Sequence, residues 1–144
     1  VFGPPSEFLA VHLRRNDMEN WKNRQHAWAE TAQVVEQIKE LMLEFGLDHV
    51  FLASDASDTE KAQIRKTIPN LHTLDIPGQY SEAEMALIDQ SICSRGFAFM
   101  GNFWSTFSWA IIEERHKRGF PTISNRFMQA PFSNRRAGHV EILR

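Results

Sequence analysis

The chain has 144 residues, a formal charge of −2 and a single cysteine, Cys93. That length suits one domain with a real core, and the near-neutral balance lacks the basic excess of a polyanion binder, so no nucleic-acid partner is expected. One cysteine excludes an internal disulfide and a cysteine-rich zinc cluster, and no apolar run approaches the ~20 residues that span a bilayer.

Phe8 to Leu13 is an apolar run interrupted only by His12, the pattern of a central strand covered on both faces. From about Ala29 to Phe45, Val34, Val35, Ile38, Leu41, Met42 and Phe45 recur at helical spacing, and Gly46 supplies the stop. Val50 to Ser54 is the next strand, with Asp55 at its end. A weaker helix covers about Asp58 to Thr67 and stops before Pro69, and Leu71 to Ile76 reads as a short strand.

Ser81 followed by Glu84 is a capping box, with Tyr80 and Met85 placed as a hydrophobic staple, and it opens a helix running to about Ser94. Cys93, beside Ile92, is expected to be buried there. Phe97 to Met100 forms a strand, and a helix follows from about Ser105 to Arg118, closed by Gly119. The segment after Asn125, rich in Arg, Asn and Pro, is expected to be mostly irregular, with a last strand at Val140 to Leu143. Repeated β-α alternation with short links predicts an α/β fold, a parallel sheet covered by helices. With neither an initiator Met nor a signal-peptide pattern, the sequence reads as a mature chain or an excised domain.

In such sheets ligands sit outside the carboxyl ends of the strands. Three polar clusters fall there: His12 to Asp17, Ser54-Asp55, and Gly101 to Ser108. In the third, an apolar strand runs into Gly101-Asn102, and Ser105-Thr106 opens a helix. Hydroxyls and free backbone N–H groups then surround the positive end of a helix dipole, a common way to hold a diphosphate. The alternative is a strand–turn–helix with an ordinary cap.

Arg14 and Arg15 follow a buried strand, and guanidinium gives a diphosphate paired, permanently charged hydrogen bonds. Their alternative is a solvated pair bound to Asp17 or a glutamate. His12 sits on the same strand face as Arg14, which keeps a ligand role open beside that of a hydrogen-bonded core histidine. Asp89, among Leu87, Ile88 and Ile92, needs partners. It either caps a backbone turn or reads a guanine edge, whose N1–H and N2–H₂ match one carboxylate. Phe103, Trp104 and Phe107 surround this turn, where most such aromatics belong to the core and the alternative is that one stacks on a base.

The chain lacks G-x-x-x-x-G-K-[ST], G-x-S-x-G and a strand-following G-x-G-x-x-G, which argues against a P-loop NTPase, an α/β-hydrolase and a dinucleotide-binding domain. His26, His49, His72, His116 and His139 show no metal-type spacing, so no metal site is expected.

Taken together, His12-Leu13-Arg14-Arg15-x-Asp17, Val50 to Ala56, Ile88-Asp89-Gln90-x-Ile92-Cys93 and Gly101-x-x-x-Ser105-Thr106-Phe107-Ser108 resemble the GDP-fucose protein O-fucosyltransferases. Glu113-Glu114-Arg115 and Asn125-Arg126-Phe127 extend the likeness, which is strongest to the members that modify thrombospondin type 1 repeats. The wider α1,6- and α1,2-fucosyltransferases share the histidine–arginine strand end. The resemblance implies a three-layer Rossmann-like parallel sheet, the C-terminal, donor-binding lobe of a two-lobed GT-B glycosyltransferase, with residues 1–144 as one domain and the N-terminal lobe absent.

It also implies inverting transfer of fucose from GDP-fucose to a serine or threonine of an acceptor protein in the endoplasmic reticulum or Golgi lumen, without an essential metal or other cofactor. By resemblance, Arg14 holds the β-phosphate and stabilises leaving GDP. Ser105, Thr106 and Phe107 bind the diphosphate, Asp89 recognises guanine, and His12 lies near the diphosphate or ribose. Arg15, Asp17, Asp55 and Asn102 are lesser candidates. The family's carboxylate base belongs to the other lobe, so this lobe alone is expected to be inactive or nearly so. A fucosyltransferase acting on glycans and a noncatalytic nucleotide-sugar-binding module are the alternatives.

Overall fold

A computed structural model describes residues 6–16, 28–75 and 78–130. Five parallel strands, β1 (Ser6–Leu13), β2 (His49–Ser54), β3 (Leu71–Thr73), β4 (Gly96–Gly101) and β5 (Asn125–Phe127), form one sheet in the order β3-β2-β1-β4-β5. Among the described residues, four α-helices alternate with them: α1 (Thr31–Phe45), α2 (Asp58–Thr67), α3 (Glu82–Cys93) and α4 (Thr106–Lys117). The α/β parallel sheet predicted from the sequence is therefore present.

Each helix starts and stops for local reasons. At α1 the Gln33 side chain accepts the Glu30 backbone N–H at 2.9 Å, and the helix ends at Gly46, whose φ of 66° is left-handed while Leu47 N–H returns to the Met42 carbonyl at 2.8 Å. Ser57 caps α2 by accepting the Glu60 N–H at 3.1 Å. The expected capping box of α3 forms, with Ser81 and Glu84 exchanging hydrogen bonds of 3.1 and 3.2 Å.

Both sheet faces are covered, which explains the unbroken apolar runs in the central strands. On one face Leu9, Val11 and Leu13 of β1 pack with Val34, Ile38 and Leu41 of α1 and Ile64 of α2. On the other, Ala10, Phe51, Ala53 and Phe99 pack with Cys93 of α3 and Ile111 and Ile112 of α4. Cys93 is a fully buried free thiol, as expected, and burial, aided by the charge of Asp89, pushes its pKa up, so it is held as an inert thiol.

Two boundaries differ from expectation. β3 ends at Thr73 instead of Ile76, because it is an edge strand whose ladder reaches only Val50 to Leu52 of β2. After Asn125, where irregular chain was expected, Asn125–Phe127 forms β5 against Phe99–Gly101 of β4. Its polar residues are buried with specific partners: Asn125 accepts from Arg115, and the Arg126 guanidinium pairs with Glu44 on α1. The strand expected at Val140 to Leu143 lies outside the described residues.

In this strand order the chain leaves β1 for β2 on one side and reaches β4 on the other, so the topological switch point falls between the carboxyl ends of β1 and β4. His12 and Arg14 stand at the first end, and Gly101 and Asn102 at the second.

Candidate functional site

A buried turn joins these two strand ends. Asn102 accepts the Arg14 backbone N–H on its side-chain oxygen at 2.8 Å, donates its own N–H to Ser108 Oγ at 2.9 Å, and accepts the Ser105 N–H on its carbonyl at 3.1 Å. Its side-chain oxygen is thereby committed to holding Arg14 in place. Gly101 is required by the close approach of α4, since a Cβ there would fall 2.6 Å from Ser108 Oγ and 2.8 Å from the Phe99 ring.

Ser105 occupies the N-cap of α4 with extended backbone, yet its side chain makes no capping hydrogen bond. The hydroxyl is buried and instead stands 3.5 Å from Arg14 Nη1, at the outer limit of a hydrogen bond. An ordinary serine cap is thus not what the Ser-Thr pair makes. Among the described residues, the first turn of α4 therefore receives no side-chain cap from Ser105 and starts beside a permanent cation. Thr106 is exposed at the helix start and Phe107 is half-buried.

His12 lies under this turn. Its ring stands 4.3 Å from that of Phe107, centroid to centroid, and its Nδ1 is 2.7 Å from Ser108 Oγ. Burial, and secondarily the Arg14 charge, lower its pKa to about 3, so the imidazole is neutral at physiological pH. His12, Arg14, Asn102, Ser105 and Phe107 are therefore brought into one constellation.

Two other predicted residues, Arg15 and Asp55, are placed differently. Arg15 is turned to α2, where it makes a two-pronged ion pair with Glu60 at 3.0 and 2.6 Å and its guanidinium lies 4.1 Å from the Trp28 ring centroid. Burial alone would raise the Glu60 pKa, but hydrogen bonds from Arg15 and Thr31 and the Arg15 charge outweigh it and hold that carboxylate below its usual range. Of the two arginines, only Arg14 is thus presented to the turn. Asp55 anchors backbone, accepting the Arg15 N–H at 2.6 Å and the Asn16 N–H at 3.3 Å. Asp17 lies outside the described residues.

Asp89 sits on α3, apart from the hydrogen bonds that define this constellation. Its Oδ1 is buried without a hydrogen-bond partner among the described residues. Burial raises its pKa to about 6, against an opposing pull from Lys61. A carboxylate oxygen kept from water with nothing to accept from is the condition a ligand N–H would relieve.

The sequence places Ser108 in the strand-end motif without a role of its own, and gives none to Glu60. Ser108 lies three residues after the Ser105 cap, on the helix face turned to Gly101. A small residue opposite a strand-end glycine was the available signal. Nothing in the sequence marked Glu60 as the partner of Arg15.

The sequence matches the family model for GDP-fucose protein O-fucosyltransferase over residues 4–118. The chain belongs to this family. It is 36% identical over 126 residues to GDP-fucose protein O-fucosyltransferase 2 of Homo sapiens, covering 83% of this chain and 29% of that protein. The enzyme of the same name from Drosophila melanogaster is 28% identical over 133 residues, 86% of this chain and 27% of that one. The chain thus spans less than a third of the length of these curated relatives. Among solved structures, POFUT1 in complex with GDP-fucose shares the fold with a TM-score of 0.61 and 22% identity, over 85% of this chain and 41% of that one. POFUT1 in complex with GDP is similar, with a TM-score of 0.61 and 23% identity over 85% and 43%. The O-fucosyltransferase family model spans β1 through α4, and so includes both halves of the Arg14–Ser105 constellation. Among the described residues no helix is long and apolar enough to cross a membrane.

Proposed function

We propose that this chain is the donor-binding lobe of an inverting protein O-fucosyltransferase, which transfers fucose from GDP-fucose to a serine or threonine hydroxyl of an acceptor protein. One observation carries the site assignment: the Arg14 guanidinium and the uncapped start of α4 converge at the sheet's switch point, 3.5 Å apart at Ser105. A fixed cation and a helix terminus aimed at one spot suit a diphosphate.

In this reading Arg14 takes the β-phosphate, and Ser105, Thr106 and the first N–H groups of α4 take the remaining diphosphate oxygens. Phe107 and His12 border the nucleotide. As the acceptor hydroxyl attacks the anomeric carbon, the bond to the β-phosphate oxygen breaks and negative charge grows on the departing GDP. Arg14 and the helix terminus oppose that charge most strongly where it develops. They supply the positive field, and no metal or cofactor is assigned a role. The base that takes the hydroxyl proton belongs to a second lobe completing a GT-B enzyme. The acceptor is a folded protein domain such as a thrombospondin type 1 repeat, modified by O-glycosylation in the endoplasmic reticulum or Golgi lumen.

Asp89 is assigned to guanine, its unpartnered oxygen and its neighbour accepting N1–H and N2–H₂. Only the ionised carboxylate can accept both. With a free-state pKa of about 6, affinity is flat above that pH and falls as pH drops through it. GDP-fucose is expected to bind roughly tenfold more weakly at pH 5 than at pH 7. The sugar diester is the right probe, because free GDP carries a phosphate ionisation in the same range. Calorimetry across that interval checks this, with Asp89→Asn expected to bind weakly and without the pH dependence. A wild-type affinity that does not change with pH would remove Asp89 from the site.

A further inference from the structure

Ser108 joins the two halves of the constellation through one hydroxyl. It is fully buried in the first turn of α4. Its oxygen accepts the Asn102 N–H at 2.9 Å and lies 2.7 Å from Nδ1 of His12, and these are its hydrogen-bond partners among the described residues. A serine hydroxyl has one proton to give and two lone pairs to accept with. With Asn102 already donating to it, the proton can go only to Nδ1. A neutral imidazole that accepts at Nδ1 carries its own proton on Nε2. The opposite arrangement, Nδ1–H donating to Ser108, would leave the serine proton buried without an acceptor. Gly101 makes the contact possible, since any Cβ there would collide with Ser108 Oγ.

We propose that Ser108 is a positioning residue that locks His12 in the Nε2–H form, so that the imidazole meets the sugar nucleotide as a hydrogen-bond donor to one of its oxygens. The part played toward the ligand rests on the GDP-fucose reading above, whereas the tautomer does not. The same hydroxyl fixes the Asn102 turn that holds the Arg14 backbone, so one residue sets the relation between the imidazole and the guanidinium.

The test is two-part and uses the full-length protein. Long-range ¹H–¹⁵N correlation of the histidine rings in the ligand-free protein is expected to show His12 with a pyrrole-type Nε2 and a pyridine-type Nδ1, unchanged from pH 8 to pH 5. Ser108→Ala is expected to lose that pure tautomer signature and to weaken GDP-fucose binding about tenfold. Ser108→Thr, which keeps the hydroxyl, is expected to restore both. An Nδ1–H signature in the wild-type protein would overturn the proposal whatever the ligand, and so would a Ser108→Ala protein with unaltered tautomer and affinity. A wild-type protein with the Nε2–H signature that binds no GDP-fucose would overturn the donor reading and leave the tautomer lock standing.

Discussion

Arg14→Ala is expected to lower fucose transfer by roughly a thousandfold or more in the full-length enzyme while leaving the fold in place. The large effect follows from where the side chain stands: a permanent charge beside the start of α4, where the proposed reaction builds negative charge on the leaving diphosphate. The fold is expected to survive because Arg14 is tied to the Asn102 turn through its main-chain N–H, which alanine retains. Arg14→Lys keeps the charge but loses the planar fork, and its activity is expected to fall between the two. Turnover measurements paired with thermal melts separate the effects. An Arg14→Ala enzyme within tenfold of wild type would mean that the leaving group is stabilised elsewhere.

The largest expected effect on stability lies at the opposite end of the sheet. Arg115 of α4 is fully buried, 0% exposed. Its guanidinium donates to the backbone carbonyls of Gly96 and Phe97, to Asn125 and to Ser124, and lies 4.2 Å from the Phe120 ring centroid. Desolvation by burial lowers its pKa to about 10, which still leaves it charged at neutral pH. Replacing a buried ion and its counter-ion together by apolar groups can be neutral, but here the acceptors are main-chain carbonyls and polar side chains that stay behind. Arg115→Met would strand them in the interior. A loss of about 3–5 kcal/mol is therefore expected, with β5 released from β4. Urea denaturation measures it directly, and a loss under about 1 kcal/mol would show that water or rearrangement satisfies those groups.

These two arginines show how far the sequence could be read. The helices, the alternation and the caps at Ser81 and Gly46 were legible because their signals are local: apolar spacing, a serine three residues before a glutamate, and a glycine where the chain turns left-handed. The gathering of His12, Arg14 and Ser105 at one place was legible because the carboxyl ends of neighbouring strands meet at one edge of a parallel sheet. What could not be read depends on partners distant in the chain. Arg14 and Arg15 are adjacent and chemically identical, and Glu60 and Trp28, brought over by α2 and the chain before α1, draw Arg15 away from the turn that Arg14 faces. β5 is polar in sequence and becomes a strand because Arg115 and Glu44 supply partners for Asn125 and Arg126. The hydroxyl of Ser108 acquires its meaning only when the first turn of α4 is laid against His12.

In the proposed enzyme the crevice between β1 and β4 holds a guanosine diphosphate sugar. Calorimetric titration of the folded protein with GDP and with UDP, at pH 7 and matched ionic strength, tests it most directly. Saturable GDP binding, with UDP at least about tenfold weaker because uracil lacks the paired N1–H and N2–H₂ edge, is the predicted result. UDP binding as tightly as GDP, or no GDP binding by folded protein, would contradict it.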